Sequence, residues 1–564
     1  MKQSSTIVIS GEAGQGLQTS EDLIMKAAAQ QYYVFSCSDV MSRVRGGNNT
    51  LEVRVSDHHV YAYGHKIDIL FLLNAHAFDR LKDRITEDTM VFGEEGFAPT
   101  SFLEEKNAKF IKLNLNDLAK QAGNTLFTNT ILFGFTAGIL SLESEKCHEL
   151  IGDRFKGLKD SVVEDNKKAF DMGYQKAKEL DIKIKVPKSK EAPTYKLLHG
   201  NTAVGIGALA GGCNFISAYP MSPGTGLLEY LADKSSEFDI VVEQAEDEIA
   251  AVNMVIGAWY AGARAITTTS GGGFSLMHEG ISLSAITETP CVVHLAQRPG
   301  PATGLPTRTE QADLNSAVYA GHGEFSRVIL APGKLEDGVL LTQKAFYLAD
   351  KYQVPVIILT DQHFLESIGQ MEKFTLEEKY HTSHIVKTKK EYKRYELSDS
   401  GISDRGIPGY GEGFVKVDSD EHDENGAITE DFQMRIKMHE KRLARKELIL
   451  ADYTDPELIG SKEFTQLVVG WGSTYGVLKE FVENRDSDHT AFLYVKQVFP
   501  LDKKLMDYFN QAKSITVVEN NAGGQFANLL ENELGVHVHY RVNKYSGEPF
   551  SIEEIEKRLE EVCK

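Results

Sequence analysis

Cysteine is scarce in this chain. Its 564 residues hold five, Cys37, Cys147, Cys213, Cys291 and Cys563, with no C-x-x-C pair among them. That spacing leaves no zinc site or iron–sulfur cluster to be built from this chain alone, and an odd, sparse set argues against a secreted disulfide framework. Basic charge is short as well, with 61 Lys+Arg against 81 Asp+Glu and a formal net charge of −20. Without a long Lys/Arg stripe the balance counts against a nucleic-acid partner, and anionic ligands must be met by local groups, not by a global field. Long apolar runs are missing too. The opening MKQSSTIVIS is too short for a signal peptide, and the uncharged stretches 126–142 and 200–228 are studded with Gly, Thr, Asn, Ser or Pro. Neither reads as a membrane span, so the expected location is cytoplasmic.

Several catalytic signatures are also absent. There is no G-x-S-x-G elbow, which argues against a hydrolase of that type. Leu17 stands where a Walker A loop requires Lys, which disfavours nucleotide hydrolysis. The acidic segment from Asp418 fails as an EF-hand, because His422 and Asp423 occupy positions reserved for an Asp/Asn ligand and a glycine. His537 and His539 alternate on one face of an expected strand and read more readily as a surface pair than as metal ligands.

What is present is ordinary globular material, 42% hydrophobic and 25% charged, in a length suited to about three or four domains. The first ~180 residues alternate β-type runs (6–10, 67–74, 90–92) with helical patterns (20–30, 162–179), which predicts a parallel, doubly wound sheet. Lys-rich residues 180–198, with Pro187 and Pro193, read as a linker. A second α/β domain follows, with strands expected at 215–219, 265–269, 292–296 and 356–360. Residues 376–460 are charged and read as a connecting excursion ending in a helix-like 430–448, and a third α/β unit has strands at 467–470, 491–495 and 515–519.

Candidate sites sit at the turns. GEAGQG (11–16), carrying Gly14 and Gly16, follows a strand and opens a helix, where bare backbone N–H groups suit a phosphate; a structural turn reads as readily. SRVRGG (42–47) sets Ser42, Arg43 and Arg45 beside flexible backbone, fit either for the phosphates of a CoA or dinucleotide or for a hairpin with solvated arginines. YPMSPGT (219–225), with Tyr219, Pro220 and Ser222, ends a strand, the place where open α/β sheets bind ligands, although a plain turn fits it too. Glu246, Asp247 and Glu248 crowd the first turn of a helix that is apolar on every face. Exposed acids complementing the helix dipole are one reading; the other, favoured because such a helix is expected to be buried all round, is a carboxyl at its head inside the protein. Arg298 lies just past an apolar strand and before a Pro/Gly loop reaching Thr307, either ion-paired or waiting for a carboxylate.

Taken in order, these segments resemble the 2-oxoacid:ferredoxin oxidoreductase family, in the arrangement that fuses gamma and alpha parts in one chain. GEAGQG and SRVRGG are similar to the family's gamma domain, thought to take part in coenzyme A binding. YPMSPGT, EDE with its Ala/Gly helix, TTTSGGGFSLM (267–277), RPGPATGLPTRTEQADL (298–314), GISDRGIPG (401–409), EHDENG (421–426), VVGWGST (468–474) and VVENNAGGQ (517–525) match in order across almost the whole chain. The resemblance implies three doubly wound α/β domains: a gamma-type domain over 1–185, a thiamine diphosphate pyrimidine-binding domain over 196–375 and, after the excursion, a transketolase C-terminal-like domain over 461–564. It implies an oxidoreductase that decarboxylates a 2-oxoacid on thiamine diphosphate, passes electrons to iron–sulfur clusters and ferredoxin, and hands the acyl group to coenzyme A. Glu248 takes the place of the acid that bonds the thiamine pyrimidine, with Tyr219 and Pro220 beside the cofactor. Ser222 stands where the family usually has Thr, keeping the hydroxyl and losing the methyl. Arg298 and Thr307 match positions associated with the 2-oxoacid. No GDG…N motif is present for Mg²⁺ and the diphosphate. The resemblance therefore implies a beta subunit carrying Mg²⁺, the diphosphate site and a [4Fe-4S] cluster, in an (alpha-beta)2 hetero-oligomer. The GLPTRTEQADL loop points to 2-oxoglutarate, with pyruvate, a branched-chain 2-oxoacid or a non-oxidative thiamine enzyme as alternatives.

Overall fold

The computed structural model describes residues 3–13, 15–41, 46–485 and 489–562. The chain divides into two compact units: residues 1–198 with 366–373 and 551–556, and residues 199–365 with 374–550 and 557–564.

The first unit is built on an eight-stranded sheet. Its strands are β1 (Ser4–Ala13), β2 (Tyr33–Asp39), β3 (Gly46–Ser56), β4 (Ile69–Leu72), β5 (Met90–Gly93), β6 (Lys109–Lys112), β7 (Lys196–His199) and, from later in the chain, β14 (Ile368–Met371), in the order β6-β5-β4-β1-β3-β2-β14-β7. From β1 to β6 the pairing is parallel, as the strand–helix alternation predicts. β3 instead runs antiparallel to both β1 and β2, so the sheet is mixed where a parallel one was expected. The reason is chain length: the few residues between β2 and β3 cannot make the crossover that a parallel neighbour needs. Alternate side chains of β4 serve two cores. Ile69 and Phe71 pack with Leu23, Phe135 and Phe170, while Leu70 and Leu72 pack with Phe78 and Leu103, the period of two that a sheet covered on both faces requires.

The second unit contains two sheets. The larger has β8 (Phe215–Ala218), β9 (Val241–Gln244), β10 (Ala265–Thr269), β11 (Cys291–Gln297), β12 (Val328–Leu330), β13 (Pro355–Asp361) and β18 (Gln497–Phe499), in the order β18-β12-β13-β11-β10-β8-β9. β8 to β13 are parallel and β18 is antiparallel. β10, β11 and β13 are buried along their whole length, which is why they read as unbroken apolar or Thr-rich runs. The smaller sheet comprises β15 (Glu457–Gly460), β16 (Gln466–Gly470), β17 (Thr490–Tyr494), β19 (Ser514–Glu519) and β20 (Tyr540–Asn543), in the order β15-β17-β16-β19-β20. His537 and His539 lie before β20, outside the strand expected to carry them. Among the described residues no group of three or more His, Cys, Asp or Glu is placed to hold a metal ion, and no helix is long and apolar enough to cross a membrane.

The charged residues 376–460 are better packed than an excursion suggests. The helix-like stretch forms two helices, Phe432–Leu443 and Arg445–Ala451, with Met438 and Ile449 fully buried. Buried ion pairs fasten the segment to the second unit. Lys441 meets Glu288 at 2.8 Å, Arg445 also bonds Glu288, and Arg405 meets Asp350 at 2.5 Å.

Candidate active site

In the larger sheet of the second unit the chain runs from β8 outward to β9 and then crosses back to β10 on the other side of β8. The strand order therefore reverses between β8 and β10, and the crevice at the carboxyl ends of such strands is where open α/β sheets bind ligands. The motifs singled out by the sequence fall at those ends. YPMSPGT follows β8, Glu248 follows β9, Ser270–Gly273 follows β10 and Arg298 follows β11.

The loop after β8 exposes Tyr219, Pro220 and Ser222, and its far side is anchored in the core. Thr268 Oγ1 donates to the Gly224 carbonyl at 3.0 Å and contacts His294 Nδ1 at 2.9 Å, while His294 Nε2 contacts Thr360 Oγ1 at 2.8 Å. The Thr268 hydroxyl has one hydrogen, given to Gly224, so it accepts from Nδ1–H; Nε2 is then bare and accepts from Thr360. Burial pushes the His294 imidazole down to about 3, so the ring is neutral and its tautomer fixed. This chain of bonds across β10, β11 and β13 holds the Ser222 loop in place.

Glu248 opens the helix Glu248–Tyr260, whose N-cap Asp247 accepts from the Ala250 N–H at 2.8 Å. Its side chain is buried, at 3% exposure, and Oε1 has no hydrogen-bond partner among the described residues. Burial raises the affinity of this carboxyl for a proton. Gly273 faces it: a Cβ there would stand 2.3 Å from Glu248 Oε1 and 2.2 Å from Thr269 Oγ1. The helix is not buried all round as its composition predicts, since Ile249 and Met254 are 49% and 40% exposed. Its head is buried nonetheless, because the turn after β10 folds over it.

Arg298, 9% exposed, donates from Nη1 to the Ser222 carbonyl at 2.7 Å, so the structure brings these two together. Desolvation lowers the proton affinity of the guanidinium and Asp313 partly restores it. Thr307 is half-buried further along the same loop. The loop's end is clasped by the smaller sheet. Gln311 exchanges backbone N–H and side-chain carbonyl bonds with Asn520 at 2.6 and 2.9 Å, its Nε2 donates to the Trp471 carbonyl at 2.8 Å, and Gln525 Nε2 donates to the Ala312 carbonyl at 2.7 Å. VVGWGST and VVENNAGGQ thus position the Arg298 loop.

Sequence reasoning missed Asp313, Gln311 and His294. A polar residue in the otherwise apolar run of β11 was the available signal for His294, since a buried polar side chain needs partners. Nothing comparable marked the other two.

In the first unit, Gly16 is the left-handed N-cap (φ 71°) of the helix Leu17–Ala28. A cavity of about 360 Å³ beside it is lined by Gln15, Gly16, Leu72, Leu73, Phe97 and Asn129 among others. Gly14, Ser42, Arg43 and Arg45 lie outside the described residues.

Comparison with known proteins agrees with this arrangement. Residues 6–176 match the family described as "Pyruvate ferredoxin/flavodoxin oxidoreductase", and residues 206–441 match "Pyruvate flavodoxin/ferredoxin oxidoreductase, thiamine diP-bdg". A 2-oxoacid:ferredoxin oxidoreductase subunit alpha from Sulfolobus sp. is 32% identical over 626 aligned positions, covering 99% of this chain and 96% of that one. The chain belongs to the 2-oxoacid:ferredoxin oxidoreductase family. A 2-oxoglutarate synthase subunit KorA from Archaeoglobus fulgidus is 35% identical over 333 positions, covering 58% of this chain and 88% of that one. The solved 2-oxoglutarate:ferredoxin oxidoreductase from Magnetococcus marinus, with 2-oxoglutarate, coenzyme A and succinyl-CoA bound, superposes with a TM-score of 0.92 at 30% identity and 100% coverage of both chains. The chain is thus an oxidoreductase subunit with the family's thiamine diphosphate-binding region, and the crevice described above lies within that region.

Proposed function

We propose that this chain is the gamma-alpha subunit of a CoA-acylating 2-oxoacid:ferredoxin oxidoreductase that converts a 2-oxoacid, CoA and oxidised ferredoxin to acyl-CoA, CO2 and reduced ferredoxin, with 2-oxoglutarate as substrate. The observation that carries the reading is the orphaned Oε1 of buried Glu248. A carboxyl whose proton affinity burial raises, with an unpartnered oxygen and no side chain on facing Gly273, fits the ring nitrogen of an aminopyrimidine. Thiamine diphosphate, when bound, supplies the carbon nucleophile for the 2-oxo group and the electron sink into which the carbon–CO2 bond breaks.

This chain's residues then have separable tasks. Glu248 shares a proton with the pyrimidine nitrogen and so sets which form of the ring is present. Tyr219 and Pro220 flank the cofactor, and the Ser222 hydroxyl stands at the mouth of the crevice. Arg298, oriented by the Ser222 carbonyl, keeps N–H groups for the C1 carboxylate of the 2-oxoacid, and Thr307 is an adjacent donor. Gly14 and Gly16, with Ser42, Arg43 and Arg45, meet the phosphates of coenzyme A. The diphosphate, Mg²⁺ and [4Fe-4S] cluster fall to a beta subunit in an (alpha-beta)2 assembly. The substrate assignment draws on the relatives named 2-oxoglutarate synthase and on the Magnetococcus marinus complex.

The test is viologen reduction by the chain co-expressed with its beta subunit. Turnover is expected to require a 2-oxoacid and CoA, with 2-oxoglutarate preferred, and Glu248→Gln to lower kcat by about 10²–10⁴-fold in an assembled, folded enzyme. CoA-independent turnover without acceptor reduction would replace this reading with a non-oxidative thiamine enzyme. Near-normal activity of Glu248→Gln would remove Glu248 from the chemistry.

A further inference from the structure

The triple glycine after β10 is flanked by two carboxyl groups, Glu248 buried and Asp313 half-buried. Glu248 faces Gly273; on the other side, a Cβ on Gly271 would stand 2.6 Å from both carboxylate oxygens of Asp313. The Asp313 backbone N–H donates at 3.0 Å to Oε1 of Gln297, the residue preceding Arg298, so the end of β11 carries both the guanidinium and the carboxyl. Asp313 Oδ2 is shut from water and has no hydrogen-bond partner among the described residues. The charged groups that act on Asp313 are few. Arg298 reaches it from β11 and Glu310 from its own loop. Ser270–Gly273 brings no charge, and the helix Gln525–Leu534 presents the neutral Gln525 to Ala312 and Asn315.

With no ligand, Arg298 partly offsets the charge of Asp313. A 2-oxoacid docking its carboxylate on Arg298 would bring a second negative charge into a pocket where Asp313 has no donor to satisfy it. A second carboxylate drawn to the same guanidinium raises the proton affinity of the first, most strongly where one of its oxygens, as Asp313 Oδ2, is shut from water. We propose that Asp313 is the counter-charge of Arg298 and takes up one solvent proton when the 2-oxoacid carboxylate docks, making substrate binding proton-linked. The proton returns to solvent when that carboxylate leaves as neutral CO2, so the cycle balances. This rests on the reading of Arg298 as the carboxylate anchor.

Burial already pushes the Asp313 carboxyl up to about 6, against the pull of Arg298, and a further anion raises it more. The sign follows. The free site gives up its proton near pH 6 while the substrate-bound site keeps it to higher pH, so binding takes up a proton in the window between. The KM for the 2-oxoacid then rises as pH rises through that window, with a limiting slope of about tenfold per pH unit.

The test uses the enzyme assembled with its beta subunit. Calorimetry of N-oxalylglycine binding near neutral pH, in buffers of different ionisation enthalpy, is expected to show uptake approaching one proton in the wild type and none in Asp313→Asn; the same variant should flatten the pH dependence of KM. No proton uptake by the wild type overturns the proposal whether or not the variant folds, and unchanged uptake in Asp313→Asn does so as well. Arg298→Gln separates the two readings. If it leaves KM unchanged, the anchor assignment itself fails; if it raises KM at least tenfold while Asp313→Asn keeps wild-type uptake, the Asp313 proposal alone fails.

Discussion

Glu248, in the role proposed for it, works against the fold that carries it. Its carboxyl is buried without a partner for Oε1, and burial raises its proton affinity, so the group favours the folded state when protonated and opposes it when ionised. Any stabilisation it gives is present below the ordinary carboxylate pKa and lost as pH rises through the folded-state value. Glu248→Gln, which removes the ionisation, should therefore raise the melting temperature of the cofactor-free protein near neutral pH, with the gain vanishing in acid; a gain independent of pH would contradict the account. Gly273→Ala tests the facing side, because its Cβ would meet Glu248 Oε1 at 2.3 Å. Weaker thiamine diphosphate binding is expected, with little change in far-ultraviolet dichroism, and unaltered cofactor affinity would show that the space over Glu248 is not used. The placement of Glu248, Ser222 and Arg298 after strands was legible in the sequence because each sits inside a motif that follows a β-type run. Asp313 was not, because its place beside Gly271 and at the end of β11, through its N–H bond to Gln297, is made by the fold, and no spacing in the sequence encodes it.

At the scale of elements, legibility followed burial. β10, β11 and β13 stood out as continuous runs because both of their faces are covered. β9 did not, since Val241, Glu243 and Gln244 are exposed at the sheet edge and leave no apolar pattern to read. The β2–β3 pair was hidden for another reason: its polar and apolar residues give no cue that the chain doubles back antiparallel. The motifs of the smaller sheet were recognisable but their task was not. They converge on Gln311, whose side-chain amide donates to the Trp471 main-chain carbonyl and accepts from the Asn520 main-chain N–H, and whose main-chain carbonyl accepts from Asn521 Nδ2 at 3.0 Å. Gln311→Ala removes the bonds from that amide and leaves the Asn520 N–H without its partner, a loss of about 1–3 kcal/mol for that buried group, while the Trp471 carbonyl keeps the bond from Thr474 Oγ1 at 2.8 Å. The Arg298 loop should loosen, raising the KM for the 2-oxoacid more than it lowers kcat. An equal fall in kcat and kcat/KM would place Gln311 in the chemical step instead.

For the second unit as a whole, the charged segment 376–460 looked like solvated chain because charge density is what composition reports, whereas pairing is what decides burial. Glu288 is fully buried, and burial alone would push its carboxyl up; Arg445, Lys441 and Arg394 outweigh that and hold it well below the usual carboxylate range. A depressed value of this kind gives stability that is full above the ordinary carboxylate pKa of about 4.3 and is lost as pH falls below it. The neighbouring Arg405 pairs with Asp350 and also donates to the Trp259 carbonyl at 3.0 Å, tying the same segment to the last turn of the helix that begins with Glu248. Glu288→Gln leaves Lys441 and Arg445 buried without their anion, and removing one partner of a buried pair costs about 3–5 kcal/mol. The variant should unfold at lower denaturant concentration near neutral pH, and the gap to wild type should narrow on acidification as the native Glu288 takes up its own proton. A gap that is small at neutral pH, or that widens in acid, would mean that the segment is held by its apolar contacts through Met438 and Ile449 and not by the ion pairs.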